Sequence, residues 1–366
     1  MPGGLFGLEE RRIRGPRALG ERARLLESRG LSVPGGEELV LGLYEGETLR
    51  ATGALVGESL QGIAVDGDLE GSGVAAAIVS ALLKAGMESG RRHFFLFTKP
   101  REAGRFSDLG FSPVAKVPDR GGDEGVVLLE WGEGTIHSWI AGNAPSEGLG
   151  RSRTGAVVVN CNPFTLGHRA LVEYAASKVE RLYVFVVQED RSAFPFSVRI
   201  DLVRKGTSDL ESVRVLPGGP YVISQATFPT YFLKPDSASG SQGGRAVRLH
   251  ASLDLAIFRS KIAPGFGIGT RFVGTEPFCP TTSEYNRLMG EILSAPYIEG
   301  PPLALDVLPR LEKEGAPVSA SAVRALIRAG SLDKVASLVP PATYEWLRSE
   351  SAAPVIEKIR SGETRH

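Results

Sequence analysis

From Gly155 onward the chain alternates short apolar runs with helical patterns, and its first unit constrains everything after it. That unit is Gly155-Ala156-Val157-Val158-Val159-Asn160-Cys161-Asn162-Pro163-Phe164-Thr165-Leu166-Gly167-His168. The valine triplet and the run Leu182 to Val187 are nearly continuous apolar segments, the mark of parallel strands covered on both faces. Strands are expected at Gly155–Asn160, Leu182–Val187, Val213–Leu216, Arg271–Gly274 and Ala304–Leu308. Helices are expected at Leu166–Lys178, Phe196–Leu210, Leu253–Ile262, Ser283–Ser294, Ser319–Ala329 and Tyr344–Arg348. This order predicts a doubly wound parallel sheet with right-handed crossovers, whose ligands lie beyond the carboxyl ends of the strands.

Thr165-Leu166-Gly167-His168 falls at that edge, where a helix begins. A helix mouth offers free backbone N–H groups and a positive dipole end to phosphate oxygens. Gly167 allows close approach of the backbone, and Thr165 and His168 add a hydroxyl and an imidazole donor. A nucleoside triphosphate suits such a mouth. Val318-Ser319-Ala320-Ser321-Ala322-Val323-Arg324 reads as a capped helix start, with Ser319 suited to the N-cap. Asn160 and Asn162 are either turn formers or polar ligands, and Glu189-Asp190 is either an ordinary loop pair or a magnesium site. Cys161 reads as a small buried filler, since no adjacent base marks it as a nucleophile. His93, His137, His250 and His366 lack metal-ligand spacing, so no metal site is expected.

The 366 residues suffice for two or three domains. Lysine plus arginine (42) balances aspartate plus glutamate (42), so no global field recruits nucleic acid or an acidic membrane. The N-terminus lacks a signal peptide's apolar core, and Val74 to Leu83 is about half the ~20 apolar residues a membrane helix needs. Two cysteines, Cys161 and Cys279, fit a reducing cytoplasm. A Gly-, Ser-, Asn- and Pro-rich stretch marks a linker over 132–154, with a short helix near His137 to Ile140. The expected organisation is a first domain over 1–131, that linker, a second domain over 155–350 and a tail over 351–366. Lys234 to Gly244 reads as a mobile loop, part of a looser insertion reaching Arg248.

In the first domain, Leu39–Tyr44, Thr52–Val56 and Leu60–Val65 suit consecutive antiparallel strands. A turn containing Gly71 and Gly73 leads into a helix over Val74–Ser89, then a strand over His93–Thr98 and a short helix over Ala103–Leu109. Strand, Gly-x-Gly turn and helix make an anion-binding shape, or only a tight turn.

These residues carry resemblances. The first half is similar to the GCN5-related N-acetyltransferase fold, whose loop at this place holds the pyrophosphate of acetyl-CoA. Phe106-Ser107-Asp108-Leu109-Gly110-Phe111 matches a later element of that fold, while Asp68 stands where its loop usually begins with Gln or Arg. The likeness implies that Gly71 and Gly73 bind a CoA-like arm. The second half resembles the nucleotidyltransferases with the [His/Thr]-x-Gly-His signature. More specifically, Asn160 to His168, Glu189 to Phe196, Pro217 to Tyr221, Ala226 to Lys234 and Arg271 to Pro280 resemble the citrate lyase ligase family. That family joins an acetyltransferase-like domain to a nucleotidyltransferase domain.

The resemblance implies that acetate and ATP yield acetyl-AMP and pyrophosphate. The acetyl group then passes to the thiol of a phosphoribosyl-dephospho-CoA arm on the acyl carrier subunit of citrate lyase. On this reading Thr165, His168 and Arg324 are catalytic, and Asn162, Phe164, Gly167, Gly274, Glu276, Ser319 and Ser321 bind ATP, with Mg2+ bridging the phosphates. A true adenylyltransferase acting on a phosphopantetheine-like or mononucleotide substrate, and a non-catalytic nucleotide-binding regulator, remain alternatives.

Overall fold

A computed structural model describes residues 7–118, 125–145, 150–228, 241–276, 280–313 and 315–362. Cys279, His366 and residues 234–240 of the expected loop lie outside them. The chain divides into two compact units, Met1–Ser138 and Trp139–His366.

The first unit runs β1 (Glu9–Arg12), α1 (Pro16–Ser28), β2 (Leu39–Glu45), β3 (Thr48–Val56), β4 (Ser59–Val65), α2 (Val74–Glu88), β5 (His93–Thr98), α3 (Gly104–Ser107), β6 (Ser112–Val117) and β7 (Val126–Gly132). Its sheet has the order β1-β2-β3-β4-β5-β7-β6, and the β4–β5 pairing is parallel where the others are antiparallel. Helix α2 makes the β4-to-β5 crossover and buries Val74, Ile78, Val79 and Leu82 against Leu55, Leu60 and Phe94. The β4–β5 ladder holds at Ser59↔Phe95 and Leu60↔Leu96, short of the rest of β4. The sequence reading placed no element at β1, α1, β6 or β7. β1 is Glu-Glu-Arg-Arg at a sheet edge, and β6 contains Pro113 on the opposite edge, where strand patterning is weakest.

Helix α4 (Ile136–Asn143) follows, and the division between units falls within it. The second unit continues with β8 (Thr154–Val159), α5 (Leu166–Lys178), β9 (Arg181–Val186), α6 (Phe196–Gly206) and β10 (Val213–Pro217). Next come α7 (Ser241–Ile257), a π turn (Phe258–Ile262), α8 (Ala263–Phe266), β11 (Thr270–Gly274), α9 (Pro280–Ile292) and β12 (Ala304–Leu308). A short β13 (Glu312–Lys313) and β14 (Ala316–Pro317) precede α10 (Ala320–Arg328), α11 (Leu332–Val335), α12 (Pro341–Leu347) and α13 (Ala353–Ser361).

The five strands β10-β9-β8-β11-β12 pair parallel throughout. The α/β doubly wound expectation therefore agrees with the structure. β8 lies centrally: the chain leaves it toward β9 and β10, then crosses back to β11. The crevice between β8 and β11 is thus a topological switch point. Val157 and Val159 face α5 and pack with Val172, Ala175 and Phe272.

Two expectations change. Helix α7 begins at Ser241, inside the expected loop, because Val247, Ala251 and Leu255 recur every fourth residue and are buried. The expected tail carries α13, whose Val355 and Ile359 pack with Val323 and Ile327 of α10. Among the described residues no helix is long and apolar enough to cross a membrane.

Candidate functional site

A cleft of about 630 Å³ opens at the carboxyl edge of the parallel sheet, over the β8–β11 switch point. Its walls come from the β8–α5 turn, the end of β11, the segment after β12, the start of α10 and the inner face of α9.

Cys161 takes a positive φ of 52°, and the Asn162–Pro163 peptide is cis. Thr165 caps α5: its hydroxyl accepts the His168 N–H at 3.4 Å, and its own N–H donates to His168 Nδ1 at 3.1 Å. This is a reciprocal capping box with histidine in the place usually taken by Glu or Gln. A ring nitrogen that accepts a backbone N–H carries no proton, so the neutral imidazole holds its hydrogen on Nε2. Burial, then Arg310 and Arg324, lower the His168 pKa to about 4. The neutral form with an Nε2–H donor is therefore the resting state at neutral pH. From behind, the Phe164 ring stacks on the imidazole at 6.0 Å between centroids.

Phe164 itself is fully buried in the core against Gly206 and is absent from the cleft wall, contrary to the ATP-binding assignment. Its ring supports His168 from the interior. The other assigned residues of this turn, Asn162, Thr165, Gly167 and His168, do line the cleft. Gly167 has a second reason to be glycine: a Cβ there would stand 2.5 Å from the Val318 carbonyl oxygen just ahead of α10.

Ser319 caps α10 by accepting the Ala322 N–H at 3.1 Å. Arg324 donates from Nη1 to the Asn162 carbonyl at 2.6 Å and from Nη2 to the Ser321 hydroxyl at 3.2 Å. Burial, then Arg328, lower its pKa to about 10, which leaves it charged at neutral pH. The two signatures separated by 150 residues of chain thus meet through Arg324 on Asn162, and Ser319, Ser321 and Arg324 all line the cleft. Asn162 accepts the Phe194 N–H through Oδ1, while its buried Nδ2 has no hydrogen-bond partner among the described residues.

Gly274 and Glu276 line the opposite wall, where Asn286 Nδ2 donates to the Gly274 carbonyl at 3.1 Å. Both Glu276 oxygens accept from Arg310, at 3.1 and 3.0 Å. Arg310 was missed by sequence reasoning. Its one signal is position, two residues past β12 at the ligand edge of the sheet. Glu189 and Asp190 accept the Gln225 and Phe196 N–H groups, both at 2.6 Å. Burial drives the Cys161 thiol pKa well above its usual range. Among the described residues no group of three or more His, Cys, Asp or Glu side chains could hold a metal ion.

In the first unit, Gly71 and Gly73 are exposed, with φ of 76° and 91°, and α2 starts without a side-chain cap. Asp66 is engaged by Arg50 at 2.7 Å and caps the Asp68 N–H.

The family model for the citrate lyase ligase C-terminal domain matches residues 154–347. The chain is 41% identical over 324 residues to the [citrate [pro-3S]-lyase] ligase of Klebsiella pneumoniae, covering 88% of this chain and 91% of that one. It is 36% identical over 331 residues to the protein of the same name from Escherichia coli, covering 90% of each. Among solved structures, the ribosomal-protein-S18-alanine N-acetyltransferase of Escherichia coli is 15% identical, with TM-score 0.29, over 35% of this chain and 96% of that one. The IAA acetyltransferase of Bacillus cereus is likewise 15% identical, with TM-score 0.28, over 34% and 99%.

Proposed function

The chain belongs to the citrate lyase ligase family, and from that premise we propose that it activates acetate with MgATP and acetylates the carrier subunit of citrate lyase. The acceptor is the thiol of a phosphoribosyl-dephospho-CoA arm, and the compartment is the cytoplasm, where that thiol stays reduced.

In the first step an acetate oxygen bonds to the α-phosphorus of ATP. The bond to the bridging oxygen breaks, and pyrophosphate leaves with that electron pair, giving acetyl-AMP. Such a step demands neutralised phosphate charge and an aligned attack. His168 Nε2–H and Asn162 Nδ2 donate to α-phosphate oxygens, Thr165 fixes the imidazole, and Arg324, Ser319 and Ser321 hold the departing pyrophosphate. Gly274 and Glu276 flank the ribose. Arg310, beside Glu276, adds a second guanidinium to the field at His168. Mg2+ arrives as MgATP on the phosphate oxygens, and no protein ligand is assigned to it. In the second step the carrier thiolate attacks the acetyl carbon and AMP leaves with the bonding pair, while the thiol proton passes to solvent. The start of α2, with Gly71 and Gly73, docks the CoA-like arm.

One observation supports the reading above others: a neutral imidazole with its Nε2 proton available, an orphaned amide donor and Arg324 line one cleft at the switch point. The test is incubation with labelled acetate, MgATP and the carrier subunit. AMP, pyrophosphate and an acetyl thioester are expected. A stable dinucleotide product would instead establish adenylyl transfer, and tight ATP binding without turnover a regulator.

A further inference from the structure

Arg271 is deeply buried on β11, yet it walls the cleft. Successive strand residues face opposite ways, so Arg271 stands on the sheet face opposite Phe272, which packs into the α5 core. Its Nη2 donates to the Tyr285 hydroxyl at 3.2 Å, and that hydroxyl donates to Asp254 at 2.7 Å. Asp254 also accepts the Ile223 N–H and the Thr227 hydroxyl, both at 2.7 Å. The guanidinium carbon sits 4.3 Å from the centroid of the Phe258 ring. These contacts immobilise the side chain and leave Nη1 buried with no hydrogen-bond partner among the described residues.

A buried charged donor without an acceptor is costly and calls for an explanation. Among the described residues, Asn162 and Arg271 are the two cleft-lining side chains with such an orphan. Asn162 belongs to the α5 mouth, where phosphate chemistry already explains it. Arg271 belongs to the α9 side of the cleft, beside Tyr285, Met289 and Ile223. With Nη2 engaged by Tyr285, Arg271 presents one charged donor unpaired among the described residues, Nη1, which suits a small monoanionic carboxylate better than a multiply charged phosphate. A guanidinium N–H makes a charge-assisted hydrogen bond to a carboxylate oxygen, and a methyl group suits the methionine and isoleucine side chains.

We propose that Arg271 anchors the carboxylate of the acyl substrate. Its Nη1 donates to one acetate oxygen and leaves the other to attack the α-phosphorus, with the methyl group against Met289 and Ile223. The inference rests on the ligase reading and adds the acceptor half of its cleft. Tyr285 and Asp254 are positioning residues that keep the guanidinium in place.

The test uses the full chain as wild type, Arg271→Gln and Arg271→Lys. Acetate binding is followed by saturation-transfer NMR in the presence of α,β-methylene-ATP, and acetate-dependent AMP formation by kinetics. Arg271→Gln should raise the acetate KM about 10- to 100-fold, the loss of one charge-assisted hydrogen bond, and leave affinity for the ATP analogue within about twofold. If Arg271→Gln does not fold, Arg271→Lys should show the same split, smaller in size. Unchanged acetate affinity in a folded variant, or equal loss of acetate and ATP-analogue binding, overturns the assignment and leaves the ligase reading standing. A wild type that neither binds acetate nor forms AMP with it overturns both.

Discussion

The imidazole of His168 is committed before any ligand arrives. Its Nδ1 is occupied by the Thr165 N–H and its ring is braced by Phe164, so its remaining proton lies on Nε2. In the proposed reaction, such a fixed neutral donor needs no reorganisation as phosphate charge develops. His168→Ala should therefore lower kcat for acetate-dependent pyrophosphate release by about 10²–10³, the usual loss for one transition-state donor. An unchanged rate would remove His168 from the chemistry. A pH prediction comes from the same geometry. Burial lowers the pKa of both His168 and His250 from the usual 6.5 to about 4. Between those values the unfolded chain binds more protons than the folded one, so stability falls as pH falls. The contribution is complete above about pH 6.5 and lost progressively toward pH 4. Urea midpoints at pH 7.5 and 5 should differ in that direction, and His250→Asn should flatten the difference. Any acid limb in kcat near pH 6.5 should survive in His168→Gln, because His168 stays neutral there.

Helix starts assemble the cleft, and each has its own fastening. Thr165 caps α5 and Ser319 caps α10, while the Leu166 N–H bonds to the Leu338 carbonyl and Thr343 bonds to the Phe164 carbonyl. The two helix starts touch at Gly167, where any Cβ meets a backbone oxygen that has no side-chain freedom to yield. Gly167→Ala should therefore destabilise the second unit by about 1–3 kcal/mol, as overpacking does, and weaken ATP binding by parting the two signatures. A calorimetric titration and a urea melt check this; wild-type values in both would show that α10 can retreat freely. Those two helix starts were legible in the sequence because capping residues and strand periodicity are local signals. Arg310 and Arg271 were not, since each acquires meaning only from partners distant in sequence: Glu276 lies 34 positions from Arg310, and Tyr285 lies 14 from Arg271. Phe164 was misplaced because strand alternation stops at Val159, and nothing in the sequence fixes which way the turn beyond it faces. The beginning of α7 was obscured by Gly243 and Gly244, whose composition imitates a loop.

At the scale of the whole chain, two units with separate cores correspond to the two halves of the proposed reaction. The residues assigned to acetate activation, from Asn162 to Arg324, lie in Trp139–His366, and the arm-binding candidates Gly71 and Gly73 lie in Met1–Ser138. In the first unit the β4–β5 ladder ends after two residue pairs, so most of β4 runs free of β5 toward the start of α2. That helix start differs from those of α5 and α10 in having no side-chain cap. Gly73→Asp separates the two half-reactions. Aspartate is among the residues that best tolerate a positive φ and favours a helix N-terminus, so the fold is minimally disturbed. Its carboxylate would nevertheless repel the pyrophosphate that the proposed reading assigns to this helix start. Acetate-dependent exchange of pyrophosphate into ATP should persist near the wild-type rate, while transfer from acetyl-AMP to a dephospho-CoA thiol should fall at least tenfold, the effect of about 1.4 kcal/mol. Equal loss of both activities would mean that the units do not divide the work in this way, and retention of both would place the arm elsewhere.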